Sequence, residues 1–182
     1  MHYITKLTNE TNYANRGMIL EEDINITNKY YLDNDIAVIY KKPTPIKILK
    51  LDYKTNKITN AFFEAKSTLD YNGIYKGNYI EFDAKEVNSK TSFPLSNIHP
   101  HQLEHIKKIL SHGGICFLIV RFTPINKTFL LYGQDLLNFI KDNDRKSIPL
   151  SYFIDNCSII ELKYNPRLDY IKVLKERLKW IS

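Results

Sequence analysis

The sequence predicts an α/β fold, with a central mixed β-sheet flanked by helices on both sides and a protruding basic β-hairpin. Three observations carry this expectation. The run Ile115-Cys116-Phe117-Leu118-Ile119-Val120 is apolar without a break, the pattern of a strand covered on both faces. Amphipathic segments opened by prolines at 100 and 166 alternate with short β-prone runs. Residues 46–64 alternate only loosely, carry Lys47, Lys50, Lys54 and Lys57, and never sustain an apolar face. A chain of 182 residues suits one domain, 1–182, with that hairpin as a stalk at about 43–66.

Taken in order, a first helix is expected from residue 16 or 17 to 29, with Leu20, Ile24 and Thr27 on one stripe and Glu21, Glu22 and Asn25 around it. Residues 36–40 (Ile-Ala-Val-Ile-Tyr) read as a buried strand, closed by Lys41-Lys42-Pro43-Thr44-Pro45, a segment too rich in proline for a central strand. Residues 46–53 and 57–64 then pair around Lys54-Thr55-Asn56. A strand at 79–85 is followed by a polar loop over 85–96 that ends in Phe93-Pro94-Leu95.

Pro100 opens a helix to about Ser111 that turns Leu103, Ile106 and Leu110 inward and stops at Gly113-Gly114; it places Gln102 and His105 on adjoining turns of one face. After the central strand at 115–122 come a strand at 128–132, a short helix at 135–141, a helical turn at 147–156 and a late strand at 158–164. Asn165-Pro166 is expected to cap and open a last helix that buries Ile171, Leu174 and Leu178.

Lysine and arginine total 26 against 20 acids, a net charge of +6 that suits a polyanionic partner. No apolar run approaches bilayer length and the first residues lack a signal-peptide core, so the expectation is a cytoplasmic protein with no membrane role. The two cysteines, one inside the apolar run at Cys116, have neither zinc nor disulfide spacing. His99, His101 and His105 cluster without a His-Glu-x-x-His order, which favours hydrogen bonding or DNA contact over metal ligation.

The chemistry concentrates in two segments. In Tyr79-Ile80-Glu81-Phe82-Asp83-Ala84-Lys85, strand alternation turns Glu81, Asp83 and Lys85 to one face and Ile80, Phe82 and Ala84 to the other. Asp70 precedes them in Ser67-Thr68-Leu69-Asp70-Tyr71-Asn72-Gly73. Acids beside a fixed ammonium are what a divalent-metal site for phosphodiester hydrolysis requires. The same pattern also occurs on solvated strands, where its charges only keep an edge soluble.

Several further blocks stand in order along residues 15–160: Asn15-Arg16-Gly17-Met18 with Leu20-Glu21, Thr27-Asn28 before Tyr30-Tyr31, Lys41-Lys42-Pro43-Thr44-Pro45-Ile46, Phe82-Asp83-Ala84-Lys85-Glu86, Ser92-Phe93-Pro94-Leu95, His101-Gln102 with Glu104-His105, Gly113-Gly114-Ile115 and Lys146-Ser147-Ile148-Pro149. Together with Lys66-Ser67-Thr68-Leu69-Asp70-Tyr71-Asn72-Gly73 they resemble the RecU family of bacterial Holliday junction resolvases. The resemblance implies a restriction-endonuclease-like core with a stalk, a homodimer, and Mg²⁺-dependent paired cuts across a four-way DNA junction during recombination and repair. Mn²⁺ is a possible substitute. It implies metal-binding positions at Thr68, Asp70, Asp83 and Gln102, a transition-state lysine at Lys85, and a further acid near the metal at Glu21. The family usually has Asp-Phe-Glu-Ala-Lys where this chain has Glu81-Phe82-Asp83-Ala84-Lys85, so the two acids are exchanged.

On this reading Asp70 and Asp83 are the catalytic acids and Lys85 is an electrostatic partner. DNA contact falls to Arg16, Lys41, Lys42, Lys47, Lys50, Lys54, Lys57 and Lys66, with Tyr71 either stacking on a base or packing internally. A RecA-type recombinase and the branch-migration machinery are the implied protein partners. Two rivals stand beside it: a sequence-specific duplex endonuclease, and a non-catalytic junction-binding protein that modulates a recombinase.

Overall fold

In a computed structural model the residues described are 7–63 and 68–178, with side chains from Ile19 onward. Helix α1 (Leu7–Asp33) leads into β1 (Val38–Lys41), the hairpin β2 (Ile46–Asp52) and β3 (Lys57–Phe63), then β4 (Tyr71–Tyr75), β5 (Asn78–Val87) and β6 (Ser92–Pro94). There follow α2 (Pro100–Ser111), β7 (Ile115–Phe122), β8 (Lys127–Tyr132), α3 (Gly133–Asp142), β9 (Ser147–Pro149), α4 (Leu150–Asn156), β10 (Ser158–Ile159) and α5 (Tyr170–Arg177). The central sheet runs β1-β4-β5-β7-β8-β10, with β5 and β7 parallel and the other pairs antiparallel. This is the mixed sheet expected, and β7 is buried at all of its positions, as its unbroken apolar run requires.

Each face of the sheet carries its own core. Ile80 and Phe82 of β5, with Ile115, Phe117 and Ile119 of β7, pack under α1 and α5. Cys116, Leu118, Val120 and Phe122 face the opposite way, toward Ile106 of α2, Leu136 and Phe139 of α3, and Phe153 of α4. The β5–β7 register pairs Glu81 with Cys116, Asp83 with Leu118 and Lys85 with Val120, so the charged row of β5 lies on the α2 face. β4 approaches β1 so closely that a Cβ on Gly73 would stand 2.1 Å from the carbonyl oxygen of Val38, which is why this position has no side chain.

Several boundaries differ from expectation for tertiary reasons. Helix α1 runs on to Asp33, because Tyr31 packs edge-on against Tyr170 at 5.2 Å and its hydroxyl donates to Asp169 at 2.9 Å. β1 is an edge strand that buries Ile39 but leaves Val38 and Tyr40 exposed. The expected polar loop at 85–96 is partly strand: β5 stays paired with β7 to Val87, and β6 pairs with β9 so that Phe93 and Ile148 are buried. The helical turn over 147–156 therefore splits into β9 and α4, and the late strand shortens to Ser158–Ile159.

The last helix opens at Tyr170, capped by Asp169, whose carboxylate accepts from the Lys172 amide. The segment before it is committed elsewhere, with Arg167 on Asp23 and the Leu168 amide donating to Thr27 Oγ1 at 2.9 Å. Asp23, which helix patterning would leave in solvent, is a buried hub: Oδ2 accepts from Arg121 at 2.8 Å and Oδ1 from Arg167 at 3.0 Å, while Arg121 Nε donates to Thr128 at 3.1 Å.

The hairpin stands as its own two-stranded sheet, and every side chain of β3 and most of β2 is exposed. A hairpin without a buried face agrees with the loose alternation of its sequence. Among the described residues no helix is long and apolar enough to cross a membrane.

Candidate active site

The register of β4 against β5 assembles the site. Tyr71 pairs with Phe82, which brings Asp70, just ahead of β4, against Asp83 in the middle of β5. Asp83 is fully buried. Its Oδ2 accepts from Lys85 Nζ at 2.9 Å, two residues along the same face, and from Gln102 Nε2 at 2.5 Å. Its Oδ1 is buried and has no hydrogen-bond donor among the described residues.

Burial pushes the Asp83 carboxyl above the ordinary range. The Lys85 ammonium opposes the rise, and the neighbouring Asp70 charge adds to it. A buried carboxylate with an orphaned oxygen, held against a half-buried one, is matched by a hard cation, which would both satisfy that oxygen and neutralise the repulsion. Among the described residues no group of three or more His, Cys, Asp or Glu side chains gathers to hold a metal. The donor set at hand is the two acids, since Gln102 presents its nitrogen, not its oxygen, to Asp83.

Gln102 comes from the first turn of α2, where its Oε1 accepts from the His99 amide at 3.1 Å and closes a capping box. The helix start thus orients the amide that holds Asp83. Thr68 lies half-buried with its hydroxyl 3.4 Å from the Leu69 carbonyl. Glu21 pairs with Lys41, Oε2 to Nζ 2.5 Å, and shares with Asp70 and Asp83 a neighbourhood around Tyr71.

Tyr71 is fully buried; its ring stacks on Phe82 at 4.8 Å and its hydroxyl donates to Asn25 at 3.2 Å. It has no face to offer a base, so packing replaces the stacking role. Lys42 is bound to the buried Glu81 rather than free. Lys50, Lys54 and Lys57 are exposed on the hairpin, and Lys47 lies 6.0 Å over the Phe62 ring. Lys66 and the Arg16 side chain lie outside the described residues.

Sequence reasoning passed over Glu81 as a site residue. Its carboxylate, 1 % exposed, accepts from Lys42, from Tyr79 Oη at 2.7 Å and from the Leu69 amide at 3.3 Å, and meets His105 Nε2 at 2.9 Å. Burial raises its pKa, yet the bonds from Lys42, Tyr79 and His105 outweigh burial and hold it below the ordinary value. The signal was present in the i, i+2 row with Asp83, but, Tyr79 apart, its partners come from three other segments, at Lys42, Leu69 and His105.

A family model described as recombination protein U matches residues 15–176 of this chain. A protein of Geobacillus sp. (strain WCH70) named Holliday junction resolvase RecU is 48 % identical over 186 residues, covering 96 % of this chain and 92 % of the relative. A relative of the same name from Geobacillus thermodenitrificans is 49 % identical over 90 % of this chain and 85 % of its own length, and one from Bacillus cereus (strain AH820) is 46 % identical over 89 % and 84 %. On this match along nearly its whole length, the chain belongs to the RecU family.

Proposed function

We propose that the protein is a Mg²⁺-dependent crossover-junction endodeoxyribonuclease that resolves four-way DNA junctions by paired cuts during recombination and repair. The observation that carries the reading is the buried Asp83 carboxylate, with one oxygen orphaned, beside Asp70 and Lys85 in a chain of this family. Asp70 and Asp83 would hold the cation, Mg²⁺ or Mn²⁺ in its place, with a neutral oxygen from Thr68; Gln102, expected as a further ligand, turns its nitrogen to Asp83 and its oxygen to the His99 amide, so that it serves by holding Asp83. When bound, the cation supplies charge neutralisation at the scissile phosphate and activation of the attacking water. Lys85 keeps its ammonium on the Asp83 side of the site, where it stabilises the negative charge that grows on the attacked phosphate. Gln102 fixes Asp83 from the helix side, and Glu21 stands as an outer acid whose pairing with Lys41 holds α1 to the end of β1.

DNA binding falls to the hairpin, where Lys47, Lys50, Lys54 and Lys57 place cations on an element that buries no core, and to Arg16 and Lys66. Cutting two like strands of a branched substrate takes two sites related by a two-fold axis, hence a homodimer. The exposed apolar residues Ile19 and Ile26 of α1 and Val38 and Tyr40 of the edge strand β1 support a dimer surface there. A cytoplasmic setting, a RecA-type recombinase and the branch-migration machinery follow from the same reading.

The test is an end-labelled four-way junction incubated with and without Mg²⁺. The wild type should cut it only with the metal, and Asp70→Asn and Lys85→Ala should lose at least about a hundredfold in rate while still binding. Equal loss of binding and cutting would make these residues structural. Binding without any metal-dependent nicking would favour the modulator, and equal cutting of linear duplex the sequence-specific endonuclease.

A further inference from the structure

Glu81 is costly to bury, and an apolar side chain would serve the core as well. What distinguishes it is where its partners come from. The Leu69 amide, which donates to Oε1 at 3.3 Å, directly precedes Asp70. Lys42 meets Glu81 through its ammonium and, through its backbone amide, donates to the Asp70 carbonyl at 2.7 Å. His105, 2.9 Å from Oε1, stands one turn after Gln102 on α2. Glu81 itself lies two residues before Asp83 on the same face of β5.

One carboxylate thus ties together the three backbone segments that carry Asp70, Asp83 and Gln102, and adds the root of the stalk, since Lys42 is the last residue before Pro43 and the hairpin. We propose that Glu81 is a positioning residue for phosphodiester cleavage: it clamps the stalk root, α2 and the Asp70 segment to β5 so that Gln102 holds Asp83 and Asp83 converges with Asp70 on one cation. The inference rests on the metal-dependent nuclease reading above. A second consequence follows for Lys42, which the clamp holds away from DNA; loosening the clamp frees a cation beside the stalk and does not weaken phosphate binding.

The experiment compares wild type, Glu81→Gln and His105→Ala by three measurements: the single-turnover rate on a four-way junction with Mg²⁺, junction affinity in Ca²⁺, and Mn²⁺ affinity of the DNA-free protein. A displaced catalytic group costs about a hundredfold in rate, and that loss is expected for Glu81→Gln, with a smaller one for His105→Ala. Mn²⁺ binding should weaken in both, with junction affinity unchanged or tighter. If Glu81→Gln does not fold, as thermal melting would report, His105→Ala decides. Unchanged rate and Mn²⁺ affinity in a folded variant overturn the clamp, as does a junction affinity that falls in step with the rate. If the wild type itself fails to cut, the nuclease reading fails, and the Mn²⁺ measurement alone decides the clamp.

Discussion

Asp83 and Glu81 sit on one face of one strand, both buried, and their surroundings shift their pKa values in opposite directions, Asp83 up and Glu81 down. Glu81 is held charged by its donors, so its folded-state pKa lies below the unfolded value. Its contribution is present above the carboxylate range and is lost as pH falls through it. The stability deficit of Glu81→Gln against wild type should therefore be largest near neutrality and shrink toward pH of about 4, read from melting temperatures across pH. Asp83 has the other sign: burial makes the folded protein bind its proton more tightly than the unfolded chain does, so this group costs stability as pH rises. In the absence of divalent ions, Asp83→Asn should melt higher than wild type at neutral pH and lose that advantage in acid. A melting temperature below wild type at neutral pH would contradict the unfavourable burial.

At the same scale, strand alternation set Asp83 and Lys85 on one face because it is a local property, whereas a place for Gln102 beside them came only from the family resemblance; the structure brings Asp70, Lys85 and Gln102 against Asp83. The burial of Glu81 and Asp23 went unread, because what makes a charge tolerable inside is a partner far along the chain. Asp23 reaches Arg121 across 98 residues and Arg167 across 144. Tyr71 illustrates the converse: a tyrosine beside an acid looks available to a base until the Phe82 ring is placed against it at 4.8 Å.

Among the elements, those with strong periodicity were foreseen closely. β7 and α2 have the limits their apolar run and their Pro100 start imply. The short elements were not, since β6 and β9 have three residues each and exist only because they pair with one another across 55 positions of sequence. The start of α5 was misplaced for a similar reason, its preceding segment being held by Asp23 and Thr27 of α1. That tie can be measured. Asp23→Ala leaves Arg121 buried without its main partner and should cost about 3–5 kcal/mol of unfolding free energy in denaturant titrations. A loss near zero would mean that the buried ion network contributes nothing to the docking of α5. The hairpin offers a separate test: each Lys→Ala at 47, 50, 54 or 57 should lower the salt dependence of junction binding by about one unit of slope if it contacts a phosphate.

For the molecule as a whole, the division of labour follows from burial. The sheet and its two cores fix an acidic site around the buried Asp83 within a chain of net charge +6, and the excess of positive charge is carried in part on a hairpin that adds no described residue to those cores. Metal binding and DNA binding are therefore expected to be separable by mutation. Everything at the site turns on whether the orphaned oxygen of Asp83 takes a cation together with Asp70. Anomalous diffraction from crystals soaked in Mn²⁺ measures this. The expected result is a single strong peak within coordinating distance of both carboxylates, absent in Asp83→Asn. Wild-type crystals with the two acids in place and no peak between them would contradict the account.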